Sequence, residues 1–446
     1  MNQERRELTA FDIGCVVVGG IIGVGIFFTP ARVAREVDTP AQVMLAWALG
    51  GLLAVLGGLV FAELSTLVPG HGGTFRYIQT AFGRLPAFVY GWANWLVIQA
   101  GALGVIALIL VDYLNVVLFG EQRMSADAKV LVAVVTMLLF TATNVVGLRV
   151  GKRVQNTLTV LKVLAIATLV ALSWGTAAVA PSEPVAASSR SLPAMLAAAI
   201  LPVLFAVGGW QQGSFLAGAA RRLIDVPLGL LGGVAVVVVT YLTINLAYLD
   251  ALGFAGARAS QAIGADAAKV ILGDTGGRVL AGMVVISAAG IMNTICLAPP
   301  YVLYAMAQQG VFPAAFGRLH PTLHTPVLGV LGQGLWGVVL LLSVHLFARS
   351  RGEASADTLG FVCDSVVFVD WVFFAACGAA VLLLRQRAKP GSFFRVPGGD
   401  VIGALFALAS LVVTGGAILQ SPIPSAVGLG ICLLGLPAYL LLMLRR

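Results

Sequence analysis

The first residues with a clear capacity for binding chemistry form a glycine-rich run near the N-terminus. From Gly19 to Phe27 the chain reads GGIIGVGIF, with four glycines within seven residues. Each glycine weakens a helix by about 1 kcal/mol relative to alanine, so the run predicts a helix break. In a membrane, exposed backbone groups are tolerated where they line a cavity. Close helix packing is the alternative, because Gly19 and Gly23 form a GxxxG pair. A dinucleotide loop is excluded, since its third glycine and preceding strand are missing.

A second interruption lies near the middle of the chain. Pro202 is followed by the run from Phe205 to Gln211, which contains Gly208 and Gly209 in an otherwise apolar stretch. Two interrupted hydrophobic segments at corresponding positions of two halves indicate the binding site of a secondary transporter. The two runs stand in this relation if the chain contains two repeats of five helices.

Ionisable residues also lie inside apolar stretches. Lys162 is nine residues beyond Arg153, about 13 Å along a helix, which is too far for its side chain to reach the basic loop easily. Asp370 could pair with a cation or carry a proton, and a protonated or locally hydrogen-bonded carboxyl fits equally well. His320 and His324 have metal-pair spacing, but they lie in a proline-flanked loop without an evident third ligand. We therefore expect neither a metal site nor a cofactor.

The composition identifies the solvent around these residues. Of 446 residues, 59% are apolar and 10% are charged, against roughly 25% charged in an average soluble domain. The bilayer is therefore the expected environment. The net charge of +8 comes from basic residues scattered between apolar stretches, which indicates membrane topology and no nucleic-acid partner. An enzyme would need catalytic groups that converge at membrane depth, and the chain shows no such cluster.

The apolar stretches predict twelve transmembrane helices, separated at charges, polar runs and Pro/Gly clusters. The uncharged run from Val279 to Gly317 must contain a loop near 308–317, and the last apolar run must turn at 421–424. The predicted spans are 11–34, 40–68, 86–118, 129–148, 155–175, 193–219, 226–252, 277–307, 325–347, 358–384, 401–420 and 424–444.

The distribution of basic residues predicts the orientation. Sixteen lysines and arginines fall on the side of the N-terminus and ten on the other side. Because cytoplasmic loops carry the excess of basic residues, both termini are expected in the cytoplasm. The protein is then a multi-pass protein of the cell membrane that contacts membrane lipids.

Several motifs together resemble the amino acid–polyamine–organocation superfamily, and within it the L-type amino acid transporter branch. The span 1, post-span 2 and span 6 motifs are specific in combination, and the resemblance covers nearly the whole chain. The matching residues are 23–27, 63–65, 72–78, 81–83, 85–88 and 205–210, with weaker matches at 320–321, 325–326 and 396–397.

The resemblance implies an all-α integral membrane fold of the leucine-transporter type. This fold is a five-plus-five inverted repeat in which helices 1 and 6 are broken. Applied to this chain, residues 1–446 form a single transmembrane transporter domain. The first repeat covers 11–175, the second covers 193–384, and helices 11 and 12 occupy 401–444.

The resemblance also implies roles for the two breaks. Amides of Gly23, Val24 and Gly25 would hold a substrate carboxylate, and carbonyls of Ile21, Phe205 and Gly208 would hold its amine. Trp210 and Phe205 would form a pocket wall or gate, with plain packing as the alternative. Val24 replaces the serine that is common in this motif, so a side-chain contact to the carboxylate is lost. Pro299 and Pro300 obscure the contribution of helix 8.

The expected function is sodium-independent transport of neutral L-amino acids, by exchange or coupled to protons. In relatives with a lysine at the place of Lys162, the ammonium takes the sodium position and bridges helix 5 to the carbonyls of helix 1. Residues 99–104 of span 3, together with Phe205, Val207 and Trp210 of span 6, offer no charge to a charged substrate side chain.

Two further expectations concern substrates and partners. An amine, polyamine or cationic amino acid carrier of the same fold is the alternative, and it would want a pocket carboxylate such as Asp370 or Asp364. Animal L-type carriers use a cysteine in the loop after helix 3 to join a glycoprotein partner, and residues 119–128 lack cysteine. No disulfide-linked heavy-chain subunit is therefore expected.

Overall fold

The part of the chain that the structure describes forms twelve membrane helices, as the sequence predicts. The computed structural model describes residues 6–120, 123–174, 189–351, 355–388, 391 and 394–444. Within them, eleven helices are long and apolar enough to cross a membrane, and the shorter helix Ala10–Ile21 begins the twelfth. In chain order, helices 1 to 12 are Ala10–Ile21 continued by Thr29–Glu36, Pro40–Leu67, Arg84–Phe119, Ala126–Val145, Leu148–Ser173, Leu192–Phe215, Asp225–Ala259, Gly276–Leu297 continued by Pro300–Gln308, Val327–Arg351, Ser355–Arg387, Gly399–Gln420 and Pro422–Leu444.

One predicted boundary differs because a charged segment is helical. Helix 5 begins at Leu148 rather than at residue 155, because Gly147 turns the chain with a φ of +138° and the basic residues form the first turns of the helix. Two short helices, Thr74–Phe82 and Ile263–Leu272, lie outside the predicted spans. The predicted turn between helices 11 and 12 is confirmed at Ser421.

Helix 1 lies at the centre of the bundle and packs on helices 5, 7 and 8. Small residues let it approach helix 7 closely, since a Cβ on Gly229 would lie 2.7 Å from the Ala10 carbonyl oxygen. Such contacts are typical of helix association in membranes, where lipid supplies no hydrophobic driving force between helices. Helices 11 and 12 lie at the periphery and expose leucines such as Leu408 and Leu441, as expected for side chains in lipid.

The N-terminal segment is anchored at one end of the bundle, which we call the terminal face. The amide of Leu8 donates to the Ala219 carbonyl (2.9 Å), and the Arg221 amide donates to the Leu8 carbonyl (2.8 Å). Glu7 receives two hydrogen bonds of 2.8 Å from the guanidinium of Arg149 at the start of helix 5. These contacts join the start of helix 1 to helix 5 and to the chain that follows helix 6.

Candidate functional site

Helix 1 loses its helical geometry within the predicted glycine run. Its first half ends at Ile21, and the next two residues are extended, with ψ of 96° at Ile22 and −154° at Gly23. A short 3-10 turn, Val24–Phe27, then leads into the second half of the helix. The first amides of a helical segment lack partners inside that segment. The break therefore interrupts the helical hydrogen-bond pattern within the glycine run, at residues that are buried in the bundle.

Helix 6 is broken at the matching place and contacts the break in helix 1. The segment Leu192–Val207 ends at Gly208, which is extended, and Gly209 has a φ of +123°. A Cβ at Gly209 would lie 2.7 Å from the Gly20 carbonyl oxygen. Both the positive φ and the close backbone approach require glycine at this position. The two interruptions predicted from the sequence thus meet in space.

Tyr241 of helix 7 joins the two breaks. Its hydroxyl, fully buried, shares its proton between the carbonyls of Ile21 (2.9 Å) and Ala206 (3.1 Å). The Ile21 carbonyl keeps a second lone pair, because a carbonyl oxygen can accept two hydrogen bonds. The sequence carries no signal for this residue, since a tyrosine in an apolar span shows neither its direction nor its partner.

Lys162 places a buried ammonium between helices 1, 5 and 8. The residue is 1% exposed, and its Nζ donates to the carbonyls of Ile22 (2.7 Å), Gly19 (3.2 Å) and Ser287 (3.3 Å). These three acceptors match the three N–H donors of an ammonium group. Gly290 makes the space, because a Cβ there would lie 2.6 Å from Nζ.

Helix 8 contributes an apolar wall to the break in helix 1. A Cβ on Gly23 would overlap the Cδ1 atom of Ile291, so this isoleucine lies directly against the extended backbone. Pro299 and Pro300 follow the end of Gly276–Leu297, where helix 8 gives way to Pro300–Gln308. The proline pair therefore lies outside the part of helix 8 that faces the break.

The aromatic residues of helix 6 take different positions. Trp210 is fully buried, and a Cβ on Gly57 of helix 2 would lie 2.7 Å from its indole ring. Its ring lies 5.1 Å from that of Phe374 and 6.2 Å from that of Trp371, both in helix 10. This placement favours the packing interpretation of Trp210. Phe205 is half-buried one turn earlier.

Helix 3 carries a buried polar turn next to Asp370. The segment Asn94–Gln99 is π-helical, a geometry that often marks functional sites. The Gln99 amide donates to the Asn94 side-chain oxygen at 3.1 Å, and Asp370 on helix 10 interacts electrostatically with Tyr90 of helix 3. Asp370 is half-buried. The structure thus places it beside helix 3.

Hydrogen bonds also anchor the end of helix 1 that lies opposite the terminal face. Arg35, at the end of helix 1, donates to the Arg258 carbonyl (3.1 Å) and to the Ser260 carbonyl. Arg258 donates back to the Val37 carbonyl (3.1 Å). Helix 1 is therefore anchored at both ends, and the breaks lie between the two anchors.

Comparison with known proteins gives these features a family context. The family model described as "Amino acid permease" matches residues 8–434. The serine/threonine exchanger SteT of Bacillus subtilis (strain 168) is 27% identical over 98% of this chain and 97% of its own length. The human large neutral amino acids transporter small subunit 2 is 26% identical over 98% of this chain and 80% of its own. The human cystine/glutamate transporter is 27% identical over 98% of this chain and 85% of its own.

Proposed function

This chain belongs to the amino acid permease family, and on that premise we propose that it is a sodium-independent carrier of neutral L-amino acids. It works by alternating access, through exchange or proton-linked transport. The observation that carries the proposal is the meeting of two broken helices beside a buried ammonium on helix 1 carbonyls. Relatives of the family whose names specify amino acids support the substrate class.

The breaks supply groups for both charges of an amino acid. Amides of Gly23, Val24 and Gly25 face the carboxylate, since the start of a helical segment attracts an anion. Carbonyls of Ile21, Phe205 and Gly208 bind the ammonium, as unwound carbonyls do in transporters with discontinuous helices. Because the Ile21 carbonyl already accepts from Tyr241, its second lone pair serves the substrate.

Lys162 supplies a fixed cation at the junction of helices 1, 5 and 8. Sodium in such a junction would need the same carbonyl oxygens that now accept from Nζ at 2.7–3.3 Å. A covalently attached ammonium removes the need for an external ion. Transport is therefore independent of sodium.

The side chains at the breaks favour a neutral substrate. Ile291 lies against Gly23, Ala206 lies against Gly25, and Val207 completes the end of the first half of helix 6. Burial of an unpaired charge among apolar groups costs several kcal/mol, enough to disfavour charged amino acids by about 100-fold or more. The names of the relatives include both neutral and anionic substrates, so the direct test must use this chain.

Membrane topology and partners complete the proposal. Both termini lie in the cytoplasm, on the side with more basic residues, and the terminal face is then the cytoplasmic face. The protein acts in the cell membrane without a disulfide-linked subunit. Its two repeats are proposed to be residues 11–175 and 193–384.

Competition for uptake into proteoliposomes tests the substrate. Purified protein is reconstituted with a labelled neutral amino acid, and unlabelled compounds compete from outside. We expect inhibition by some of alanine, serine, leucine and phenylalanine, and none by arginine, glutamate or putrescine. Inhibition restricted to the charged compounds would overturn the neutral assignment and favour the amine or cationic amino acid carrier, with Asp370 in the pocket.

A further inference from the structure

A cavity lies outside the broken helices, between helices 3, 4, 9, 10 and 12. Its volume is about 390 Å³, within the range of small-ligand pockets. One face of helix 3 lines it from Leu96 to Asp112, and helix 9 lines it from Leu340 to His345. Neither helix 1 nor helix 6 contributes a lining residue. The cavity is therefore separate from the proposed amino acid site.

The length and the lining of the cavity suit a hydrocarbon chain. Leu96 and Asp112 are sixteen residues apart on helix 3, about 24 Å at 1.5 Å per residue. This length also exceeds half the thickness of the bilayer's hydrocarbon core, which is about 15 Å. Apart from its charged end, the lining is mainly aliphatic, with residues such as Val105, Leu108 and Ile431.

The far end of the cavity carries charges of both signs. Lys129 Nζ lies 2.6 Å from an Asp112 carboxylate oxygen, and both side chains remain partly exposed, at 26% and 41%. His345 lines the same end and shares Asp127 with Arg349. A head group with an anion next to a hydrogen-bonding cation complements such a pair: the anion contacts Lys129, and the cation contacts Asp112.

We propose that this cavity binds one acyl chain of a phosphatidylethanolamine from the surrounding bilayer. The phosphate lies at Lys129, and the primary ammonium donates hydrogen bonds to Asp112. A choline head group cannot form the second contact, because its quaternary nitrogen has no N–H donor. The site therefore prefers ethanolamine over choline lipids with the same chains.

Fluorescence quenching by brominated lipids tests the site. Trp336 reports on it, because its indole N–H donates to the carbonyl of Leu96 at 3.0 Å, and Leu96 lines the cavity. The full-length protein is reconstituted in phosphatidylcholine vesicles with increasing fractions of phosphatidylethanolamine or phosphatidylcholine brominated on the acyl chains. We expect saturable quenching by the ethanolamine lipid at low fraction. Trp336→Phe should remove that saturable component.

Two variants separate a built site from ordinary lipid contact. A Cβ on Gly104 would make an ordinary 3.6 Å contact with Leu341, so Gly104→Leu grows into the cavity. It should weaken saturable quenching by about tenfold, the equivalent of two displaced methylenes. Gly415→Leu is the matched control, because a Cβ at Gly415 meets nothing within 4 Å. Lys129→Gln should fold and weaken binding of both lipids by about tenfold, because both carry the phosphate, whereas Asp112→Asn should remove the preference for ethanolamine. Lys269→Gln, at an exposed position of helix Ile263–Leu272, should change neither.

The outcomes decide the proposal without reference to transport. Saturable quenching that prefers ethanolamine and is lost in Gly104→Leu supports it. Quenching that rises linearly with the lipid fraction, that is equal for both head groups, or that persists in both Gly104→Leu and Lys129→Gln overturns it. The transport proposal stands or falls on the separate uptake measurements.

Discussion

Replacement of Lys162 by methionine is the strongest test of the cation role. Methionine keeps most of the side-chain length and removes the ammonium, so the carbonyls of Gly19 and Ile22 lose a buried donor. An unsatisfied buried polar group costs about 1–3 kcal/mol. A total of about 3 kcal/mol for the two carbonyls would lower the population of the observed helix 1 geometry by about 100-fold. We expect exchange of a labelled neutral amino acid in proteoliposomes to fall by a similar factor.

The controls separate this effect from loss of protein. Lys269→Met removes a lysine from an exposed position and should transport at the wild-type rate. Size-exclusion profiles and thermal unfolding in detergent report how much Lys162→Met is folded. Wild-type uptake should stay constant when sodium is replaced by choline at constant ionic strength. A steep rise of wild-type uptake with sodium, or a fully active Lys162→Met variant, would refute the assigned role.

Three further variants address the breaks and the terminal face. Gly25→Leu should abolish substrate-induced thermal stabilisation in folded protein, because the longer side chain fills the site. Gly25→Ala should retain it, because a Cβ at this position meets Ala206 at an ordinary 3.6 Å. Normal binding by the leucine variant would mean that the glycine serves packing. Tyr241→Phe removes the donor that joins the two breaks and should slow uptake by about tenfold. Unchanged uptake kinetics would show that transport does not depend on these hydrogen bonds. Hydrogen bonds from Arg149 hold the pKa of Glu7 below its ordinary value of 4.5. The ion pair therefore stabilises the folded protein fully above pH 4.5, and this stabilisation is lost as the pH falls through the lowered pKa. The unfolding midpoints of wild type and Glu7→Gln should therefore differ at neutral pH and converge in acid, and a constant difference would contradict the ion pair.

Features that depend on the backbone or on depth could be predicted from the sequence. The break in helix 1 follows from the glycine density around Gly23, and the position of Lys162 follows from its distance to the last basic residue before it. Both signals are local, since glycine lowers helix stability wherever it lies and a lysine's reach is fixed by its length. Helix number follows in the same way from apolar length.

Features that depend on the rotation of one helix against another could not be predicted. Ile291 and Tyr241 reach the breaks from helices 8 and 7, but nothing in their spacing distinguishes them from lipid-facing residues. Trp210 points toward helices 2 and 10, and its place in the motif did not distinguish a pocket role from packing. On helix 3, Gly101 and Gly104 line the cavity shared with helix 9, which the sequence did not indicate. The π-helical turn just before them shifts the faces of helix 3 in a way that residue spacing cannot show.

The position of Lys162 also bears on the energy source of the proposed transport. An external ion that bound between helices 1, 5 and 8 would link closure of helix 1 to its own concentration gradient. The ammonium of Lys162 has no concentration gradient across the membrane, because it is part of the chain and already donates to the helix 1 carbonyls. Closure then favours neither direction by itself. Net movement must draw on the gradient of the substrate, of a second amino acid in exchange, or of protons. Counterflow measurements distinguish these sources: acceleration by internal substrate without dependence on a pH gradient would identify exchange, and the reverse pattern would identify proton coupling.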